Sequence, residues 1–141
     1  MEKKSVLLLS NFREDKQMSM LRFGGLLNSK HRENPRFEIE ECYPQAFFSK
    51  VSPGKRWNKW AAYLDKYLIF PKRMKNKLQS LVQPVDLVHV IDHSNAVYLP
   101  QLSRFSKAKK IITCHDLIAI RTAHGEFPYA PKTSRSGKRL Q

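Results

Sequence analysis

The sequence predicts an α/β fold, a doubly wound parallel sheet, and three observations predict it. Short apolar runs alternate with longer amphipathic stretches in the order β-α-β-α-β-α-β. Two of the runs, SVLLLS and DLVHVID, are almost continuously apolar, as strands covered on both faces are. Strands separated by helical stretches are joined by right-handed crossovers, which build a parallel sheet with helices on its faces. The 141 residues, 41% of them apolar, fill one core and hardly two, so one domain is expected.

Ser5 to Ser10 reads as the first strand. After the polar run Asn11 to Asp15, the apolar residues Met18, Leu21, Leu26 and Leu27, with Met20 and Phe23 beside them, give a helix from Lys16 to Lys30. Gly24 and Gly25 fall inside it, where each glycine costs about 1 kcal/mol. A phosphate-binding loop places its glycines at the helix start, in a G-x-G-x-x-G or G-x-x-x-x-G-K-[ST] frame, so this pair is assigned to helix packing. Asn34-Pro35 makes a turn, and RFEIEEC sets Phe37, Ile39 and Glu41 against Arg36, Glu38 and Glu40. That is a second strand, more exposed than the first, ended by Tyr43-Pro44.

A flexible piece with Ser52-Pro53-Gly54 leads into RWNKWAAYLDKYLIF, where Trp57, Trp60, Ala61, Leu64, Tyr67 and Leu68 recur at helical spacing. Pro71 is expected to break or kink this helix before KRMKNKLQSLV resumes it. Asp86 to Asp92 follows Pro84 as the clearest strand and is expected at the centre of the sheet. Ala96 to Phe105 makes a short helix containing Pro100, and KKIITC a fourth strand through Cys114. From Arg121 onward the apolar periodicity stops. The expected division is a domain over 1–128 and a polar tail over 129–141, a cut linker or the first turn of a helix.

Lys and Arg number 26 against 12 Asp and Glu, a net charge of +14 that favours anionic partners such as phosphodiesters or acidic lipid. An aromatic content of 11% excludes low-complexity disorder. Cys42 and Cys114 are too few for a secreted disulfide framework and belong to neither a CxxC pair nor a zinc spacing, so reduced, buried thiols are expected. The apolar core of the amino terminus, Val6 to Leu9, is too short for an export signal or a membrane span. This places the chain in the cytoplasm, with peripheral contact at the inner face of the membrane open to it. The stretch Lys55 to Lys77 combines Trp57, Trp60, Tyr63, Tyr67 and Phe70 with eight Lys and Arg. It suits an interfacial helix on anionic lipid, or a nucleic-acid surface of stacked aromatics and cations. The expected reading is plainer: a crossover helix that buries its aromatic stripe on the sheet and keeps a solvated basic back.

Ligands of open parallel sheets bind beyond the carboxyl ends of the strands, near the point where strand order reverses. That rule selects Ser10, Asn11, Phe12 and Arg13 after the first strand, Asp92, His93, Ser94 and Asn95 after the third, and His115 and Asp116 after the fourth. Two carboxylate-imidazole pairs thus end two strands. A carboxylate can fix the tautomer of an imidazole or raise its basicity, and both groups can hydrogen-bond sugar hydroxyls. The competing reading is that each histidine caps a turn or bonds a local carbonyl. His89, inside an apolar strand, is expected to be a hydrogen-bonded core residue.

DLVHVIDHSNAVYLP followed by KKIITCHDLIAI, with HGEFP beyond, resembles the amino-terminal domain of family-4 glycosyltransferases of the GT-B fold. KKSVLLLSN and the stretch Ser19 to Phe23 resemble that family's first strand and first helix. The resemblance covers nearly the whole chain, and its specific part is Asp86 to Pro128. It implies a Rossmann-like domain, the single, incomplete acceptor-side half of a GT-B architecture, cut before the carboxyl-terminal domain that holds most of the nucleotide-sugar donor. By position, His115 resembles the histidine that reaches toward the donor sugar, with Asp116 supporting its loop. Asp92 and His93, with Ser94 and Asn95 beside them, resemble the loop lining the acceptor side.

The family's glycine-rich loop after strand one is replaced here by NFREDK, where Asn11 remains and Arg13 or Lys16 stands in for bare backbone at the diphosphate. Glu33 and Glu41 have the spacing of the family's paired glutamates, but the motif belongs to the other domain and the match is chance. The resemblance implies a hexosyltransferase-like activity toward a glycan or lipid-linked acceptor, a nucleotide-sugar as co-substrate, no metal or further cofactor, and no transfer by this chain alone. It sets nucleic acid aside as a partner. The rival reading is a non-catalytic basic module for anionic membrane or nucleic acid.

Overall fold

The computed structural model describes residues 3–51, 54–105, 107–115 and 117–129. Four strands form one sheet in the order β2-β1-β3-β4, with every pair parallel. They are β1 (Lys4–Leu9), β2 (Phe37–Cys42), β3 (Leu87–Val90) and β4 (Lys109–Ile112). The sheet is Rossmann-like and doubly wound, as the sequence predicts, with β3 in the interior. The β1 residues Val6 to Leu9 are all buried because alternate side chains meet different layers. Leu7 and Leu9 pack with Phe70, Met74, Val88, Val90, Tyr98 and Leu102 on one face. Val6 and Leu8 pack with Ile39, Ile91, Phe23 and Leu27 on the other.

On that second face lies α1 (Met18–Glu33), which begins and ends a few residues later than the periodicity suggests. Its Gly24 confirms the packing assignment, because a Cβ built there would stand 2.5 Å from Ile91 Cδ1. Gly25 faces open space. The 3-10 turn Arg13–Asp15 precedes the helix and leaves Lys16 at φ 53°, a left-handed conformation that L residues rarely adopt.

Helix α2 (Phe48–Val51) is a single turn, and α3 (Lys55–Leu64) continues through a π-helical segment, Asp65–Ile69, into α4 (Phe70–Ser80). Pro71 neither ends nor interrupts the helix. Lacking an N–H, it leaves the preceding turn without one α-helical bond, and the backbone widens so that Phe70 N–H donates to Asp65 O, five residues back.

The crossover buries only its second half. Phe70 and Met74 enter the core, whereas Trp57 and Trp60 are each 67% exposed. The aromatic stripe of α3 therefore does not lie on the sheet, contrary to expectation: α3 contacts α2, and the crossover reaches the core through Tyr67 of the π segment and Phe70 and Met74 of α4.

After β3 comes a 3-10 segment, His93–Tyr98, that runs into α5 (Leu99–Phe105), so the helix expected from Ala96 is split in two. β4 stops two residues before Cys114, and α6 (Ile118–Ala123) follows, an element the sequence reading left unassigned. Cys42 is buried, and burial pushes its thiol up to about 11. Cys114 is exposed, which corrects the expectation of two buried thiols.

Candidate active site

The strand order reverses between β1 and β3: the chain leaves β1 toward β2 on one side and enters β3 on the other. The residues that follow these two strands meet at that point. Asn11 Nδ2 donates to Asp92 Oδ2 at 2.5 Å and to Gln17 Oε1 at 2.6 Å, while Asn11 Oδ1 accepts from Asn95 Nδ2 at 2.9 Å. The other Asp92 oxygen accepts the Ser94 backbone N–H at 3.1 Å, which caps the 3-10 segment. Burial opposes the charge on Asp92. The hydrogen bonds from Asn11 and Ser94 and the neighbouring His93 outweigh burial and hold the carboxyl below its ordinary range.

His93 Nδ1 stands 3.3 Å from Asp92 Oδ1, close enough for an ion pair, yet the geometry makes no hydrogen bond and leaves this buried nitrogen unsatisfied. The contact is electrostatic, and it exists only when the ring is protonated.

His115 ends up beside this crevice. Its Nε2 lies 2.9 Å from the carbonyl of Ile91, and its ring meets Phe23 of α1 edge-on at 4.6 Å. Since a carbonyl only accepts, Nε2 carries the proton, and in the neutral ring Nδ1 is the nitrogen with a lone pair. The local-carbonyl reading of His115 is realised. The carbonyl bond fixes tautomer and orientation while the residue remains exposed at the sheet's carboxyl edge. Asp116 lies outside the described residues, as do 130–141 of the tail.

Arg13 does not enter the crevice. Its guanidinium lies over the Tyr43 ring, 4.3 Å from the centroid, on the β2 side. A cavity of about 310 Å³ lies on that side, lined by Tyr43, Gln45, Arg73 and Lys77 among others. The Ser10 hydroxyl donates to Glu41 Oε1 at 2.7 Å and ties the ends of β1 and β2 together. Glu33, on the last turn of α1, pairs with Lys30. The two glutamates sit on different elements with separate partners, so their spacing is coincidental. His89 accepts or donates across the sheet to Thr113 Oγ1 at 2.8 Å, as a hydrogen-bonded strand residue should, although it is only half-buried.

The sequence reading missed two features. A hollow of about 280 Å³ between the 3-10 turn and α3 is lined by Asp15, Lys59, Tyr63, Lys66 and Tyr67, with the two tyrosine rings stacked at 5.6 Å. Aromatic faces beside charged hydrogen-bonding groups are what a small polar ligand needs. The second is Asp65, fully buried, whose carboxylate accepts the backbone N–H groups of Phe47, Phe48 and Ser49 and the Ser49 hydroxyl. Its signal in the sequence was a lone acid inside a basic segment. Among the described residues no group of three His, Cys, Asp or Glu is arranged to hold a metal, and no helix is long and apolar enough to cross a membrane.

No protein-family model matches the chain, and no curated protein matches it in sequence. Among solved structures it is similar to TcCGT1, determined in complex with UDP, at a TM-score of 0.51 and 15% identity. The likeness covers 89% of this chain and 33% of that one, so the chain spans about a third of the solved protein's length. At this identity the likeness establishes the fold, a Rossmann-like parallel α/β sheet, and the carboxyl edge between β1 and β3 is where such a fold receives its ligands.

Proposed function

We propose that this chain is the acceptor-side half of a glycosyltransferase of the family-4, GT-B kind, which moves a sugar from a nucleotide-sugar to a glycan or lipid-linked acceptor. The observation that carries the reading is the placement of His115, tautomer fixed by the Ile91 carbonyl, beside the Asn11-Asp92-Asn95 network at the switch point. The likeness to a protein solved with UDP supports the nucleotide part. In this reading the network does not touch the sugar first. It holds the loop of residues 92–95 in place, so that Ser94 and His93 present a fixed edge to the acceptor, and His115 serves the donor side, with the supporting role expected of Asp116 resting on the sequence alone.

The fringe of the sheet supports a continuing chain. Ile111 and Ile112 of β4 are 48% and 42% exposed, and Leu117 and Ile118 beyond them are exposed as well. Consecutive strand residues point to opposite faces, so neither face of β4 is fully covered at Ile111 and Ile112, and a helix or facing domain beyond this chain would cover them. The domain over 1–128 would then be followed by a donor-binding domain, with 129–141 as the connection. Catalysis would rest on positioning and on cations and helix ends that stabilise the leaving diphosphate, most of them supplied by that second domain.

The test has two parts. The coding sequence downstream of Gln141 is expected to continue, in frame or after a shift, into a second α/β unit carrying a paired-glutamate motif. The 141-residue chain alone is expected to release no nucleoside diphosphate from nucleotide-sugars. A stop with no such unit nearby, or sugar transfer by the isolated chain, overturns the proposal.

A further inference from the structure

Between Glu41 and Asp86 the chain carries nine Lys and Arg and a single acid, Asp65. That acid is buried and fully occupied, so the segment shows no carboxylate to solvent. The Asp65 carboxylate gathers the first amides of α2 and thereby fastens this single turn against the helix that follows α3. The fastened pair turns Phe47, Phe48 and Val51 outward. Trp57 and Trp60 of α3, the helix that contacts α2, are exposed as well, and Leu64 and Leu68 extend their stripe at spacings of three and four residues. Lys50, Lys59 and Lys72 are exposed on the same segment.

We infer that the α2–α3 pair is a membrane-docking element that inserts its aromatic face into the interface of an anionic bilayer. Three properties select this occupant over a protein partner. An apolar stripe carried by a segment with nine cations and no exposed acid of its own, the neighbouring exposed acids being Glu14 and Asp15 of the 3-10 turn beside Lys50 and Lys59, matches a surface that is apolar below and negative above. Tryptophan is the side chain best suited to the headgroup level, with an apolar body and one N–H donor. Charge complementarity extends beyond the patch, since the chain as a whole carries +14 and would be drawn toward an anionic surface. Asp65 acts as a positioning residue: without it α2 loses the bonds that hold Phe47 and Phe48 against the helix that follows α3. The inference stands apart from the transferase reading, because it uses none of the residues at the carboxyl edge of the sheet.

Trp57 and Trp60 are the chain's two tryptophans, so intrinsic fluorescence reports on this face directly. The full chain is titrated with vesicles of phosphatidylcholine containing phosphatidylglycerol, with pure phosphatidylcholine as the control. The expected result is a blue shift and quenching by brominated acyl chains with anionic vesicles only, weakened by added salt. Changing Trp57 and Trp60 together to Ser is read by vesicle sedimentation and weakens binding about tenfold or more, as loss of buried apolar area requires. Lys50→Gln with Lys59→Gln weakens it by about the same factor. These substitutions lie on the surface, and circular dichroism confirms that the variants remain folded. Unquenched tryptophans in the presence of anionic vesicles overturn the inference, as does sedimentation indifferent to both sets of substitutions. A blue shift that appears without lipid and grows with protein concentration also overturns it, and assigns the face to a second copy of the chain.

Discussion

The carboxyl edge of the sheet and the α2–α3 pair are opposite solutions to placing side chains that water would otherwise claim. At the carboxyl edge, Asn11, Asp92 and Asn95 are polar yet buried, and they bond mainly to each other and to Gln17 and Ser94. In the α2–α3 pair, Phe47, Trp57 and Trp60 are apolar yet exposed, and the buried polar group, Asp65, serves only to hold their helices in place. The first region stores its interactions inside the chain, and the second leaves them to be made with something else. The two should therefore respond differently to substitution: the edge in stability, the outward face in binding.

The largest effect expected is from Asp92→Ala. It strands the Asn11 amide and the Ser94 N–H in a buried site, and should lower stability by about 3 kcal/mol in urea titrations. Next is Asp65→Ala, which releases three amides and a hydroxyl and should cost about 2–3 kcal/mol, with hydrogen exchange rising first at Phe47, Phe48 and Ser49. If Asp65→Ala leaves those amides protected, the clamp does not exist and the comparison breaks.

The acid limb of stability sharpens the same point. Asp65 and Asp92 both titrate below the ordinary aspartate value of 3.8, because hydrogen bonds to the charged form outweigh burial. Their contribution is complete above pH 3.8 and is lost as pH falls through the lower folded-state values. His89 adds an earlier loss that begins below 6.5, since burial, helped by the His31 charge, depresses its folded-state value and the folded protein resists its protonation. Melting temperature should thus decline gently below 6.5 and steeply below 3.8. Asp92→Asn should melt lower at neutral pH and lose less on acidification.

Smaller effects separate the adjacent glycines of α1. Gly24→Ala forces its Cβ onto Ile91 and should cost about 1–2 kcal/mol despite the better helix former. Gly25→Ala meets nothing and should gain about 0.5–1 kcal/mol. Trp57→Ser and Trp60→Ser should change stability least, within about 0.5 kcal/mol, because the side chains are mostly solvated.

The first and third strands, and the interior place of the third, were legible because strands covered on both faces are apolar, as Val6 to Leu9 is without interruption and Val88, Val90 and Ile91 are around the half-buried His89. The rule that ligands gather at strand ends selected Asn11, Asp92 and Asn95, which the structure joins in one hydrogen-bonded network. Three things were not legible. Helical spacing shows that Trp57 and Trp60 share a face but not which way it points, and that face turned to solvent rather than to the sheet. Pro71 reads as a breaker from local geometry, yet one widened turn absorbs it. Arg13 was assigned to the ligand from its charge, while the Tyr43 ring that captures it arrives from another strand's end.

The account turns on His115 as a functional group rather than a turn-forming one, and a single measurement addresses that directly. In a protein that joins this chain to the donor-binding domain proposed for it, His115→Ala is compared with the unaltered protein for release of nucleoside diphosphate from nucleotide-sugars in the presence of acceptor, with melting temperature followed in parallel. The account predicts a fall in release of about 100-fold or more, with melting changed by only a few degrees. Release equal to that of the unaltered protein would contradict it, and would return the histidine to the role of a side chain that merely fastens β4 to β3.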